Sequence, residues 1–108
     1  MQPDTLLSES RESLLAKARS GDIVVIDVRP GDEFAAGHLP HARSMPLDEL
    51  EQRLADLPPG KEIVAYCRGP FCLMSDEAVR LLRARGYSAR KISDGVTEWS
   101  RSGMPLDR

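Results

Sequence analysis

Two side chains in this sequence could act as soft sulfur nucleophiles, Cys67 and Cys72, and they are its only cysteines. Cys67 directly follows the apolar run Glu62-Ile63-Val64-Ala65-Tyr66, and the stretch Arg68 to Met74 separates it from a helix opening at Ser75. A thiol at the end of a buried strand, where a loop feeds a helix, sits in two favourable fields. Loop N–H groups can curl around the sulfur as an anion cradle. The N-terminus of the next helix adds partial positive charge and favours thiolate. Arg68 brings a full charge alongside. The plainer alternative is a small buried residue finishing a strand, since free cysteine is among the most buried residue types. The order strand–Cys–loop–helix favours chemistry without saying which. Cys72 lies further along the same loop; if the loop folds back, its thiol could reach Cys67 as a resolving thiol or form a disulfide with it. Its alternative is an idle loop thiol.

Composition removes several other classes. Small secreted disulfide scaffolds usually carry four or more cysteines, so two point to a reducing, cytoplasmic setting. Structural zinc wants four ligands, and the only histidines, His38 and His41, are distant in sequence. We therefore expect no metal and no cofactor. Fifteen basic and 17 acidic residues spread along the chain leave a net charge of −2, without the clustered basic face that nucleic-acid binding needs. Arg80, Arg83, Arg85, Arg90 and Lys91 are read as a solvated helix face and its exit. The longest apolar run, Ile23 to Ile26, is far short of a membrane span.

The elements that must hold Cys67 follow from pattern. At 108 residues the chain fits one domain. Met1 to Leu7 reads as a loose arm, residues 8–106 as the domain and residues 107–108 as a tail. Ser8 can cap a first helix with Glu9 and Glu12 in its opening turn; Leu14, Leu15 and Ala18 form its apolar stripe and Gly21 ends it. Ile23 to Val28 is a continuous β-branched run, as in a strand buried on both faces. A helical turn around Glu33 to Ala36, a turn or loop at Gly37 to Pro40 and a brief strand near Arg43 to Met45 follow. Leu47, Leu50, Leu54 and Leu57 recur at helical spacing until Pro58-Pro59. After the strand Glu62 to Tyr66, the helix from Ser75 buries Ala78, Val79, Leu81 and Leu82 and closes at Gly86. Ala89 to Ile92 is a third strand, Ser93 to Gly95 a turn, and Val96 to Ser102 a last helix holding Trp99. Strands alternating with helices imply an α/β fold with a mainly parallel sheet covered on both faces, and Cys67 falls at the carboxyl edge where such sheets bind ligands.

Three motifs in this order resemble a single rhodanese domain, from about Ser10 to Leu106. They are Asp27-Val28-Arg29 with Glu33-Phe34 and Gly37-His38-Leu39-Pro40-His41-Ala42; Tyr66-Cys67-Arg68; and Asp94-Gly95, Trp99 and Gly103-Met104-Pro105. The wording Tyr66-Cys67-Arg68-Gly69-Pro70-Phe71-Cys72 is similar to rhodanese domains fused behind winged-helix repressors of the arsenic-responsive type. The resemblance implies a rhodanese-like three-layer α/β/α fold and a sulfurtransferase. Cys67 would take sulfane sulfur from thiosulfate or a low-molecular-weight persulfide, hold it as a persulfide, and pass it to a thiol or cyanide. The cradle would come from Arg68, Gly69, Pro70, Phe71, Cys72, Leu73, Met74 and Ser75, with Arg68 meeting an anionic substrate. Asp27, Arg29, Glu33 and His38 would support the sheet edge, Arg29 pairing with Glu33 and His38 tying down a loop.

The pattern departs from the family in three places. The loop from Cys67 to Met74 is longer than usual, as in phosphatase relatives that use Cys-x5-Arg, but Leu73 stands where that arginine would be. Phosphate-ester and arsenate chemistry are therefore disfavoured. Cys72 is the second departure, and it supports an alternative reading: a non-catalytic redox, reactive-sulfur or arsenic-sensing module of a transcriptional regulator. His41 replaces the usual glycine of its turn, where a left-handed backbone suits glycine better. Trp99 is read as core rather than a stacking platform. The expected partners are a small sulfur donor and a thiol acceptor, with no membrane and no nucleic acid for this domain itself, and fusion or association with a winged-helix regulator.

Overall fold

Strict alternation along two buried strands decides the layers. The computed structural model describes residues 10–69 and 72–108. Strand β1 (Ile23–Asp27) is buried at every position, and β3 (Glu62–Tyr66) at all but its first. Side chains on a strand point alternately to opposite faces. Val24, Ile26, Ile63, Ala65 and Cys67 therefore share one core with Ala78, Val79 and Leu82 of helix α4 (Met74–Ala84) and Leu50 of the short α3 (Leu47–Leu50). Ile23, Val25, Val64 and Tyr66 share the other with Leu14 of α1 (Arg11–Ser20) and Trp99 of α5 (Val96–Arg101).

The sheet has four strands in the order β2-β1-β3-β4, with β2 at Arg43–Ser44 and β4 at Ala89–Lys91, and all pairs are parallel. The fold is the expected α/β/α sandwich. The central pair runs in register from Ile23 opposite Glu62 to Asp27 opposite Tyr66. From β1 the chain moves outward to β2; from β3 it moves outward the other way to β4. The carboxyl ends of β1 and β3 thus flank the point where the winding reverses, the usual crevice for ligands in open α/β sheets. Cys67 leaves β3 at that point. Helix α2 (Gly31–Ala36) follows β1 at the same edge. Among the described residues no helix is long and apolar enough to cross a membrane.

Several expectations shift in detail. Ser10, not Ser8, caps α1, its hydroxyl accepting the Ser13 N–H at 3.1 Å; Ser8 and residues 1–7 lie outside the described residues. Gly21 ends α1 in the left-handed conformation at φ 86°, as the sequence suggests. The leucine-spaced helix runs as α-helix only to Leu50 and tightens into a 3-10 turn over Glu51–Asp56. Leu57 must be extended before Pro58, at φ −88° and ψ 135°, so the helix unwinds ahead of it. Leu81 is half-buried rather than core. Asp107, assigned to the tail, exchanges two 2.9 Å backbone hydrogen bonds with His38 as an antiparallel bridge. His41 keeps the left-handed turn that glycine would favour, at φ 67° and in an exposed position.

Candidate active site

Because β3 alternates, Cys67 points toward α4 and is only 2% exposed. Helix α4 begins one residue earlier than expected, at Met74, with Leu73 as an N-cap that makes no side-chain bond. Ser75 is therefore inside the first turn, and its hydroxyl is released from capping. It lies 3.5 Å from Cys67 Sγ. The Ser75 N–H also reaches that sulfur. On the other side the thiol meets the Cys72 carbonyl at 3.5 Å. Burial pushes the Cys67 thiol above its ordinary value, and the hydrogen bond it gives to Cys72 pushes the same way. The two bonds from Ser75 pull in the opposite direction without prevailing.

The second thiol is placed differently. The Cys72 N–H donates to Gly69 O at 3.2 Å, and the Cys72 carbonyl lies against Cys67 Sγ. Burial works against ionising Cys72, but three hydrogen bonds outweigh it: one from the Cys67 thiol and one each from the N–H groups of Arg68 and Met74. The Arg68 charge helps, and the Cys72 thiol is held below its ordinary value. Among the described residues the loop amides thus divide between the sulfurs, Ser75 serving Cys67 while Arg68 and Met74 serve Cys72. Leu73 is exposed and Gly69 half-buried, whereas Pro70 and Phe71, also expected in the cradle, lie outside the described residues.

Arg68 does not stand free to meet an anion. Its Nε and Nη2 donate to the two Glu33 carboxylate oxygens at 2.9 and 2.6 Å. This pairing corrects the expectation that Glu33 serves Arg29. Hydrogen bonding to Arg68 is the main reason the Glu33 carboxyl is held below the ordinary carboxylate range. Arg29 instead turns back on Asp27, two residues earlier on the same strand end. Its Nε donates to Oδ1 at 2.9 Å, its Nη2 to Oδ2 at 2.6 Å, and Nη2 also reaches Gly37 O at 2.8 Å. Burial disfavours the Arg29 charge, yet the Asp27 hydrogen bonds raise its pKa nonetheless.

Asp27 is fully buried and also accepts the Tyr66 hydroxyl at 2.7 Å, while that hydroxyl accepts the Leu39 N–H at 3.1 Å. The network ties the ends of β1 and β3 to the Gly37–Leu39 segment and holds the edge from which Cys67 emerges. Burial and the neighbouring Asp27 push the Tyr66 phenol well above its ordinary range, so it remains a donor. His38 sits beside this network. Its Nδ1 lies 2.9 Å from Phe34 O and its ring stacks on Phe34 at 3.7 Å, fastening α2 to the following segment.

Two residues that the motifs contain, Tyr66 and Gly95, have no role in the site that the sequence alone assigns. A tyrosine hydroxyl inside a core needs a partner, and the aspartate ending the neighbouring strand is an obvious one. Gly95 lies in a turn. A Cβ on it would stand 2.1 Å from the Arg68 carbonyl oxygen and 2.7 Å from Gly69 N. The turn before α5 thus presses directly on the backbone after Cys67, and Glu98 braces it by accepting the Gly95 N–H at 2.8 Å. No local pattern marks that approach. Trp99 is core, 1% exposed, with Nε1 donating to Pro105 O at 2.8 Å.

Comparisons with known proteins agree with this fold. The chain is 43% identical over 98 residues to the HTH-type transcriptional regulator Rv0324 of Mycobacterium tuberculosis, a match covering 91% of this chain but 43% of that protein. It is 30% identical over 100 residues to a sulfurtransferase of Allochromatium vinosum, covering 92% of this chain and 90% of the relative. It is 34% identical over 110 residues to the thiosulfate:glutathione sulfurtransferase of Homo sapiens, covering 90% and 92%. Among solved structures, a protein from Lactobacillus plantarum superposes with TM-score 0.83 at 26% identity, over 96% of this chain and 92% of that one. The rhodanese-like domain of the Alr3790 protein from Anabaena sp. gives 0.72 at 25% identity, over 92% and 100%. A family model for the rhodanese-like domain matches residues 10–102. With its cysteine at the reversal point of a parallel sheet, the chain belongs to the rhodanese-like domain family, a domain of the sulfurtransferase type.

Proposed function

We propose that Cys67 carries sulfane sulfur between a small donor and a thiol or cyanide acceptor. With thiosulfate, the Cys67 thiolate attacks the outer sulfur, the S–S bond of the donor breaks, and sulfite leaves with the electron pair. A thiolate or cyanide then attacks the outer sulfur of the Cys67 persulfide and releases Cys67 as thiolate. The observation that carries this reading is the position of Cys67 Sγ at the end of β3, against the hydroxyl and N–H of Ser75. These donors pre-exist in the fold and favour negative charge on a sulfur. Burial holds the Cys67 thiol above its ordinary value, so the thiolate fraction and the loading rate should rise with pH. A low-molecular-weight organic persulfide suits the site better than a free dianion, because Glu33 already neutralises Arg68. The setting we infer is the reducing cytoplasm, where both thiols stay available.

A second reading has its own support. The two adjacent sulfurs, and the relative that is a transcriptional regulator, fit a sensing module for oxidants, reactive sulfur or arsenite, fused to or associated with a winged-helix regulator. Intact mass separates the two. Transfer predicts an adduct of about 32 Da on Cys67, removed by dithiothreitol and absent in Cys67→Ser. Sensing predicts a two-thiol arsenical adduct or a disulfide with little donor turnover. No adduct on Cys67 with any sulfane donor, in wild type or in Cys72→Ser, and no sulfide released, would end the transfer reading.

A further inference from the structure

The loop gives its amides unequally, and the favoured sulfur is the one transfer does not require. Cys72 receives the Arg68 and Met74 N–H groups and the Cys67 S–H, while Cys67 is buried beneath it. The Cys72 carbonyl lies 3.5 Å from Cys67 Sγ, and Cys72 packs against the core that includes Cys67, so the two residues adjoin. A persulfide would place its outer sulfur about 2 Å beyond Cys67 Sγ. Cys72 adjoins Cys67 Sγ itself, which is the inner sulfur of that persulfide. Attack on the outer sulfur would only shuttle the persulfide to Cys72. Attack on the inner one makes a disulfide.

We infer that Cys72 is a resolving thiol that turns the Cys67 persulfide into a Cys67–Cys72 disulfide and releases hydrogen sulfide. The inference rests on the reading that Cys67 takes up sulfane sulfur. The Cys72 thiolate attacks Cys67 Sγ, the Sγ–sulfane bond breaks, and the outer sulfur, holding its one proton, leaves as HS⁻. The sulfane sulfur is reduced to sulfide and the two cysteine sulfurs are oxidised to the disulfide. A dithiol reductant resets the site by exchange, ending as a disulfide itself. Because the attack is intramolecular between adjoining residues, it has an effective concentration far above the millimolar level of a free thiol acceptor. The domain then releases sulfide whenever a dithiol system regenerates it, and hands on sulfane sulfur only when an acceptor intercepts the persulfide first.

The test treats the fully reduced chain, without air or added thiol, with thiosulfate or glutathione persulfide, and follows intact mass and released sulfide. Wild type is expected to lose about 2 Da and to release about one equivalent of sulfide per chain. Cys72→Ser, and Cys72→Ala alongside it, should instead accumulate the adduct of about 32 Da and release less than about a tenth as much sulfide. A wild-type chain that holds that adduct without losing mass or releasing sulfide overturns resolution and leaves uptake standing. A disulfide that forms equally fast without a donor also overturns it. Failure of wild type and both Cys72 variants to gain or lose mass with either donor overturns the uptake reading beneath it.

Discussion

Replacing Gly95 with alanine adds one methyl group against the backbone that follows Cys67. That carbon would stand 2.1 Å from the Arg68 carbonyl oxygen, 2.3 Å from its carbon and 2.7 Å from Gly69 N. Ordinary contact requires the two backbones to separate by at least about 1 Å, and peptide groups cannot yield as a flexible side chain would. Overpacking of this kind costs about 1–3 kcal/mol. The larger effect falls on the site. The strained peptide joins Arg68 to Gly69, and Arg68 both follows Cys67 directly and gives its N–H to the Cys72 sulfur. A displacement of about 1 Å at reacting atoms can lower a rate about 100-fold. Gly95→Ala should therefore show a urea midpoint lowered in proportion to that cost and a persulfide-loading rate lowered by one to two orders of magnitude. The rate is read by stopped mass spectrometry after thiosulfate addition, under conditions where the variant is fully folded. A folded variant that loads sulfur at the wild-type rate would refute the argument that this turn sets the geometry of the Cys67 loop.

Other perturbations address separate parts of the site. Glu33→Gln removes the carboxylate that neutralises Arg68, so the KM for dianionic thiosulfate should fall several-fold, with a steeper salt dependence; an unchanged KM would show that Arg68 does not face the donor. Asp27→Asn weakens the buried pair with Arg29 and disturbs the Tyr66 bond, and should cost about 3–5 kcal/mol in denaturant unfolding; a loss under about 1 kcal/mol would contradict the network's role in holding the strand ends. Alkylation reads the thiols directly. Because Cys72 is held below the ordinary thiol value and Cys67 above it, the thiolate of Cys72 appears at lower pH. Iodoacetamide should modify Cys72 first on raising pH and Cys67 only later, as peptide mapping would reveal; the reverse order would refute the division of amides between the sulfurs.

What could be read from sequence, and what could not, divides along physical lines. The β-branched run from Ile23 and the short apolar run from Ile63 announce buried strands, and Cys67 follows the second without ambiguity. Its placement needed only alternation and the reversal of the winding. The loop was harder. Whether Arg68 faces a substrate or Glu33 depends on where α2 lies relative to the end of β3, a distance no local pattern encodes. Arg29 has three carboxylates within four residues, Asp27, Asp32 and Glu33. The strand's own aspartate won because its fully buried charge needs an immediate counterion. The tightening of the helix after Leu50 follows from Pro58, which was visible, but its extent was not. The sharing of amides between two sulfurs depends on how closely Cys72 approaches Cys67, which no local pattern encodes.

The contact between Gly95 and Arg68 also makes the Cys67 loop depend on the C-terminal part of the chain. The brace belongs to the turn before α5, and β4 completes the sheet; both follow the two thiols in sequence. A chain cut after α4 would hold both cysteines on a loop with one wall missing. Such a shortened chain should form mixed disulfides with small thiols faster than the full chain does.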